Sequence, residues 1–210
     1  MKIIGGLGYI FQIIPFLNMV APILIGIAWI QMGGKTGRGL FKATGIIYIV
    51  SFVGAVALVA SFAFILFPVF SMLSPFFGPT ITDGGFNPFA VIGSLGQLAI
   101  FFLIFAVIVG ILAFVGFILE LVSHFVAGDI YRIRWFTVAA LLRIAAIIAT
   151  IIWVAVLITS FSSLLLPYSA NPLIDALNLI STYLLTLIPI AVLGLLGLIF
   201  SAVAFFKLPE

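Results

Sequence analysis

Five apolar runs, at residues 3–32, 40–67, 89–119, 135–166 and 177–206, take up most of this 210-residue chain and leave only short polar interruptions between them. A helix needs about 20 apolar residues to cross roughly 30 Å of hydrocarbon, and every run exceeds that. Only 6% of the residues are Asp, Glu, Lys or Arg against 66% apolar, whereas a soluble domain carries about 25% charged residues. A soluble core cannot hide such runs; lipid requires them. Membrane strands would alternate apolar and polar positions, and these runs are apolar on every face. The expectation is an all-α polytopic transmembrane bundle of about five spans, forming a single membrane domain over residues 1–210.

The opening run has two readings. Pro15 and Pro22 bracket Asn18, so the segment either kinks as one long helix or turns back as a short re-entrant hairpin. A helix over 3–14 alone would reach only about 18 Å, too short to cross. One kinked helix is the favoured reading. Met1-Lys2 before an apolar stretch resembles a signal peptide, but no small-residue cleavage site ends it, so it is taken as retained.

Charge sets the orientation, because Lys and Arg near helix ends are held on the cytoplasmic side. Lys35, Arg38 and Lys42 lie between the first two runs, Arg132 and Arg134 between the third and fourth, and Lys207 after the fifth. The other two loops carry only Asp83 and Asp175. The pattern predicts a plasma-membrane protein with a cytoplasmic C-terminus and, for five spans, an extracytoplasmic N-terminus. Lys2 dissents from that topology. An internal duplication also shows: the runs from Leu40 and Trp135 each lead to a Pro-marked turn, then to Asn87-Pro88 or Asn171-Pro172. That implies two parallel helical hairpins after the N-terminal helix.

Composition excludes much chemistry. Without cysteine, and with His124 as the one histidine, neither thiolate clusters nor bis-histidine haem can be built within the chain, so no metal or other cofactor is expected. Five acids and one histidine supply no triad or paired-carboxylate set on one membrane side, so catalysis is not expected. A net charge of +3 dispersed over several loops makes no stripe for nucleic acid. Gly34-Lys35-Thr36 looks like the tail of a phosphate-binding loop, but Trp29 stands where its leading glycine would be, and the segment before it is an apolar helix rather than a strand. A glycine-rich turn is the better reading.

Two charges do not mark loops. Arg143 lies about two turns inside the fourth run, about 12 Å from its cytoplasmic end, where an unpaired guanidinium costs at least a few kcal/mol. Glu120 reaches a similar depth if the third helix continues to about residue 126. The candidate intramembrane site is therefore Glu120 paired with Arg143 across neighbouring helices, with His124 one turn from Glu120 on the same face. A structural clamp is favoured over a proton or ion path. Gln12, Asn18, Gln31 and Gln97 are read as interhelical hydrogen-bonding residues, and the spacings of Ala145 with Ala149 and Gly197 with Ser201 as close-packing pairs. Phe62, Phe64, Phe67, Phe70, Phe76 and Phe77 gather toward the outer end of the second run, where an aromatic surface would lie at the bilayer interface.

The stretch Thr36-Gly37-Arg38-Gly39-Leu40-Phe41-Lys42-Ala43-Thr44-Gly45-Ile46-Ile47-Tyr48, with the closing Phe205-Phe206-Lys207-Leu208-Pro209, resembles a family of archaeal multi-pass membrane proteins of unknown function. The resemblance implies an archaeal plasma-membrane protein and no particular activity. The first functional expectation is a non-catalytic accessory or scaffold subunit of a larger membrane complex, a respiratory one included. The alternative is a small channel or transporter for an ion or small solute. Expected partners are membrane lipid and protein subunits, or further copies of the chain, and not nucleic acid.

Overall fold

The computed structural model describes residues 1–77, 88–164 and 172–209, with side chains described for 1–63, 96, 100–159, 181 and 183–209. Among these the chain is helical throughout: α1 (Lys2–Phe11), a short 3₁₀ turn (Leu17–Met19), α2 (Ala21–Thr36), α3 (Gly39–Phe77), α4 (Pro88–Tyr131), α5 (Arg134–Leu164) and α6 (Pro172–Phe206). Proline opens α4 and α6 at the first helical position, where its missing N–H costs nothing. Gly37, at φ 70°, ends α2 in the left-handed conformation that residues with a Cβ resist. Trp29 is buried in the bundle, so Gly34-Lys35-Thr36 is simply the last turn of α2. The second run does not close at Pro68, since α3 continues through it to Phe77.

Four helices are long and apolar enough to cross a membrane among the described residues, within α3, α4, α5 and α6. The opening run is not a fifth. Instead of one kinked helix, residues 3–32 form two short helices turned back on one another. The Trp29 indole donates to the Tyr9 hydroxyl at 3.1 Å, and a Cβ on Gly8 would meet Ile25. The physical reason is that Pro15 removes an amide and Phe16 adopts φ 68°, which together break the chain too sharply for a kink. At 10 residues α1 reaches about 15 Å, and at 16 residues α2 reaches about 24 Å.

This corrects the expectation that the termini lie at opposite ends. Gly5 sits on the Phe205 ring, so α1 starts where α6 finishes. Lys2 therefore joins Lys35, Arg38, Lys42, Arg132, Arg134 and Lys207 at one end of the bundle, and no basic loop residue dissents. The two later hairpins, α3 with α4 and α5 with α6, both rise from that basic end. The α1–α2 pair is wedged between them, α2 against α3 and α1 against α6.

Packing is concentrated in the basic half. Trp29 is surrounded by Phe41, Phe136, Phe205 and His124, with ring centroids 5.2 to 6.3 Å apart. The described buried residues stop at Gly45 on α3 and Arg143 on α5, and begin at Gly116 on α4 and Gly197 on α6. Beyond those points the helices pair but expose Val, Ile, Leu and Phe, as lipid-facing surfaces do. The α5–α6 pair is tied there by Trp153 Nε1 donating to Thr186 Oγ1 at 3.0 Å. Of the outer phenylalanines only the Phe62 side chain is described, 5.1 Å from Phe102 between centroids; Phe64, Phe67, Phe70, Phe76 and Phe77 lie outside the described side chains.

Candidate functional site

Helices α4 and α5 are joined by a tight turn in which Arg132 adopts φ 53°. Glu120 and Arg143 lie nearly the same number of residues from that turn on antiparallel helices, which sets them at one height. Their side chains form an ion pair, and the Glu120 side chain is 1% exposed. Ordinarily a carboxylate this deep costs several kcal/mol unless every lone pair is met. Here it is met from three directions. Oε1 accepts from the Tyr9 hydroxyl at 2.6 Å and from Arg143, and Oε2 accepts from the Tyr48 hydroxyl.

The guanidinium is held on its other side. Arg143 Nη2 donates to Ser201 Oγ at 3.2 Å, and its Cζ lies 5.1 Å from the Tyr9 ring centroid. Gly197 leaves room for this, since a Cβ there would press on Arg143 Cγ at 3.0 Å. The spacing of Gly197 and Ser201 therefore serves α5–α6 packing, whereas Ala145 and Ala149 are only partly buried.

His124 closes the circuit. Its Nδ1 lies 2.9 Å from the Glu120 carbonyl oxygen, which can only accept, so Nδ1 carries a proton. In the neutral ring Nε2 then accepts, and its partner is Ser201 Oγ at 3.0 Å. Ser201 Oγ thus accepts from Arg143 and divides its one proton between His124 Nε2 and the Gly197 carbonyl at 2.8 Å, while His124 Nδ1 donates to the Glu120 backbone. Beside it, the Thr44 and Ser123 hydroxyls meet at 2.7 Å between α3 and α4. One connected network takes a side chain from each of the six helices: Tyr9, Trp29, Tyr48, Glu120 with His124, Arg143 and Ser201.

The structure thus brings Glu120, Arg143 and His124 together. Sequence reasoning missed Tyr9, Tyr48, Trp29 and Ser201. A usable signal was present, because Tyr9 and Tyr48 each carry a hydroxyl into an apolar run where a buried partner is needed. The four amides fare differently. The side chains of Gln12, Asn18 and Gln31 make no hydrogen bond among the described residues, contrary to the interhelical role expected of them, and the Gln97 side chain lies outside those described.

Replacing Tyr48 by Phe removes one donor to Glu120 and keeps the ring. The expected loss is about 1 kcal/mol of stability in detergent, read as a lower melting midpoint, because a buried interhelical hydrogen bond is worth roughly that. An unchanged midpoint would remove Tyr48 from the network.

The fold and this cluster define a class: a helical bundle with four helices long and apolar enough to cross a membrane, joined among the described residues by a buried ion-pair network. No family model, no curated protein and no solved structure matches the chain. The functional reading therefore rests on its own residues.

Proposed function

We propose that the chain is a non-catalytic integral membrane subunit, an accessory or scaffold component of a larger membrane complex, with Glu120, Arg143 and His124 acting as a structural lock. The closure of the polar network carries this reading. Among the described residues Glu120, Arg143, His124 and Ser201 are each met by a group on another helix of the same chain, which rigidifies a frame, while Ser51 Oγ on α3 is the buried side-chain atom left without a partner. The lock sits in the half of the bundle where aromatic packing is densest, consistent with a fixed base from which two lipid-exposed hairpins project.

The basic end is assigned to the cytoplasm, because seven cations from four separate segments share it. Reporters fused to either terminus should both be cytoplasmic. A reporter that is active only outside at the N-terminus would overturn the hairpin topology.

Purification of the tagged chain from its native membrane in mild detergent tests the function. A stable stoichiometric partner is the expected result; a partner-free monomer or homo-oligomer counts against the subunit role. One observation favours the alternative of a channel or transporter, namely the pair of short helices broken near mid-membrane, a device used in transporter folds. Ion or solute flux through reconstituted liposomes, abolished by Arg143→Leu, would support that second reading.

A further inference from the structure

Short connections fix where the cations of this chain stand. Only Gly37 and Arg38 separate α2 from α3, only Arg132 and Ile133 separate α4 from α5, and Lys207 directly follows α6. Lys35 lies in the last turn of α2 and Lys42 in the first turn of α3, while Lys2 and Arg134 open α1 and α5. Each of these seven cations is therefore within one turn of a helix end, with no long loop to carry it away into water. At the ends of apolar helices that level is the headgroup region of the bilayer.

The charge at this end is uncompensated. Lys35, Arg38, Lys42, Arg132, Arg134 and Lys207 are exposed, and none of the seven cations makes an ion pair among the described residues. Asp129, also exposed, is the one acid described near that end of α4, because Glu120 is spent on Arg143. The group on α5 and α6 is organised around a ring. Lys207 Nζ lies 5.2 Å from the Trp135 ring centroid, and that ring stacks on Phe200 with centroids 5.0 Å apart and planes 9° from parallel. Arg134 precedes Trp135 in sequence and Arg132 stands in the turn just before it. An indole flanked by cations at a helix end suits the membrane interface, where one part of the cluster is apolar and the other wet. Deeper along the same two helices the surface turns apolar, with Leu141 55% and Ile199 39% exposed.

We infer that the corner formed by Arg132, Arg134 and Lys207 around Trp135 is a binding site for the anionic headgroup of a bilayer phospholipid, whose acyl chains lie on the apolar surface of α5 and α6 beneath it. A molecule with a negative head above apolar chains matches both parts of this surface. A soluble anion would use only the cations, and a nucleic acid or acidic protein would need charges that reach past the helix ends, where these stop. Lys35, Arg38 and Lys42 at the α2–α3 turn add to the attraction for the same leaflet. The inference goes beyond the subunit reading and needs only that the bundle spans a bilayer.

The test uses the full chain reconstituted into vesicles of equal parts phosphatidylglycerol and phosphatidylcholine, with bromine on the acyl chains of one lipid or the other. Bromine quenches an adjoining tryptophan, so the ratio of the two quenching levels reads which lipid lies beside the ring. Trp153→Phe leaves Trp135 as the reporter at the site. Trp135→Phe leaves Trp153 as the control toward the other end of α5, where the loops carry no Lys or Arg. Trp29 is fully buried and gives both proteins the same background. Each Lys or Arg near a lipid surface favours the anionic lipid about fivefold, so phosphatidylglycerol should be enriched about fivefold or more at Trp135 and not at Trp153. Replacing Arg132, Arg134 and Lys207 together by Gln should bring Trp135 down to the Trp153 level; Lys207→Gln alone should lower the enrichment, and Lys207→Arg should keep it. All three side chains are exposed, so the variants should stay folded. Equal quenching by the two lipids at Trp135, equal enrichment at Trp135 and Trp153, or enrichment that survives the triple variant would each overturn the site. Enrichment abolished by inorganic phosphate, but not by chloride at equal ionic strength, would assign the cations to a soluble anion and overturn it too. Co-purification of a partner has no bearing on these readings, so this inference and the subunit reading fail separately.

Discussion

Arg143→Leu is expected to cost roughly 3–5 kcal/mol and to abolish recovery of a monodisperse, folded protein in mild detergent, because it strands the Glu120 carboxylate without its counter-charge. The two tyrosine hydroxyls remain, but hydrogen bonds alone do not replace a guanidinium for a carboxylate that is 1% exposed. The pairing is tested by adding Glu120→Gln. The double variant removes the stranded charge and keeps an acceptor for Tyr9 and Tyr48, so it should recover much of what the single variant loses. Charge reversal at both positions should recover part as well, with Tyr9 and Tyr48 accepting from the relocated guanidinium and Ser201 donating to the relocated carboxylate. Melting midpoints of the wild type, the two single variants and the Glu120→Gln/Arg143→Leu double variant form a thermodynamic cycle. A coupling energy near zero in that cycle would show that the two charges do not stabilise one another.

Gly45→Leu should separate α2 from α3. These helices cross with Gly26 facing Gly45, and a Cβ on Gly26 would come within 2.8 Å of the Gly45 carbonyl oxygen, while a Cβ on Gly45 would collide with the Gly26 carbonyl. The obstruction is backbone, which cannot swing aside as a side chain can. Forced apart, the pair would draw Trp29 out of its cage of Phe41, Phe136 and Phe205, so the overpacking cost of about 1–3 kcal/mol is a lower bound. Loss of thermal stability with a changed tryptophan emission spectrum is the expected reading. Gly110→Ala provides the control, since a Cβ there meets nothing within 4 Å and should be neutral or slightly stabilising.

The class of fold was legible because lipid leaves so few solutions: long apolar runs become helices, and their ends carry the charges. The Glu120–Arg143 height match was legible too, since the α4–α5 turn lies midway between the two residues in sequence. The opening segment was misjudged for a physical reason. Counting apolar residues measures whether a stretch can cross, not whether it does, and the outcome turned on the backbone at Pro15 and Phe16. Lys2 held the missing information, because a basic residue on the wrong side of an otherwise consistent topology was the sign of a hairpin. Tyr9 and Trp29 stayed hidden because their roles depend on α1 lying against α6, a neighbour at the far end of the chain that no local pattern announces.

That contact between α1 and α6 has a consequence for how the molecule is made. Translation runs from Gly5 and Tyr9 toward Phe205, so α1 waits through the synthesis of the four long helices before the surface it lies on exists. Glu120 and Arg143 can enter the bilayer together as one α4–α5 hairpin, each masking the charge of the other, but Ser201 and the aromatic cage reach them only with the final turns of α6. A chain cut short within α6 therefore retains the ion pair yet has no place to seat α1, and membrane quality control would meet it with the α1–α2 hairpin still adrift.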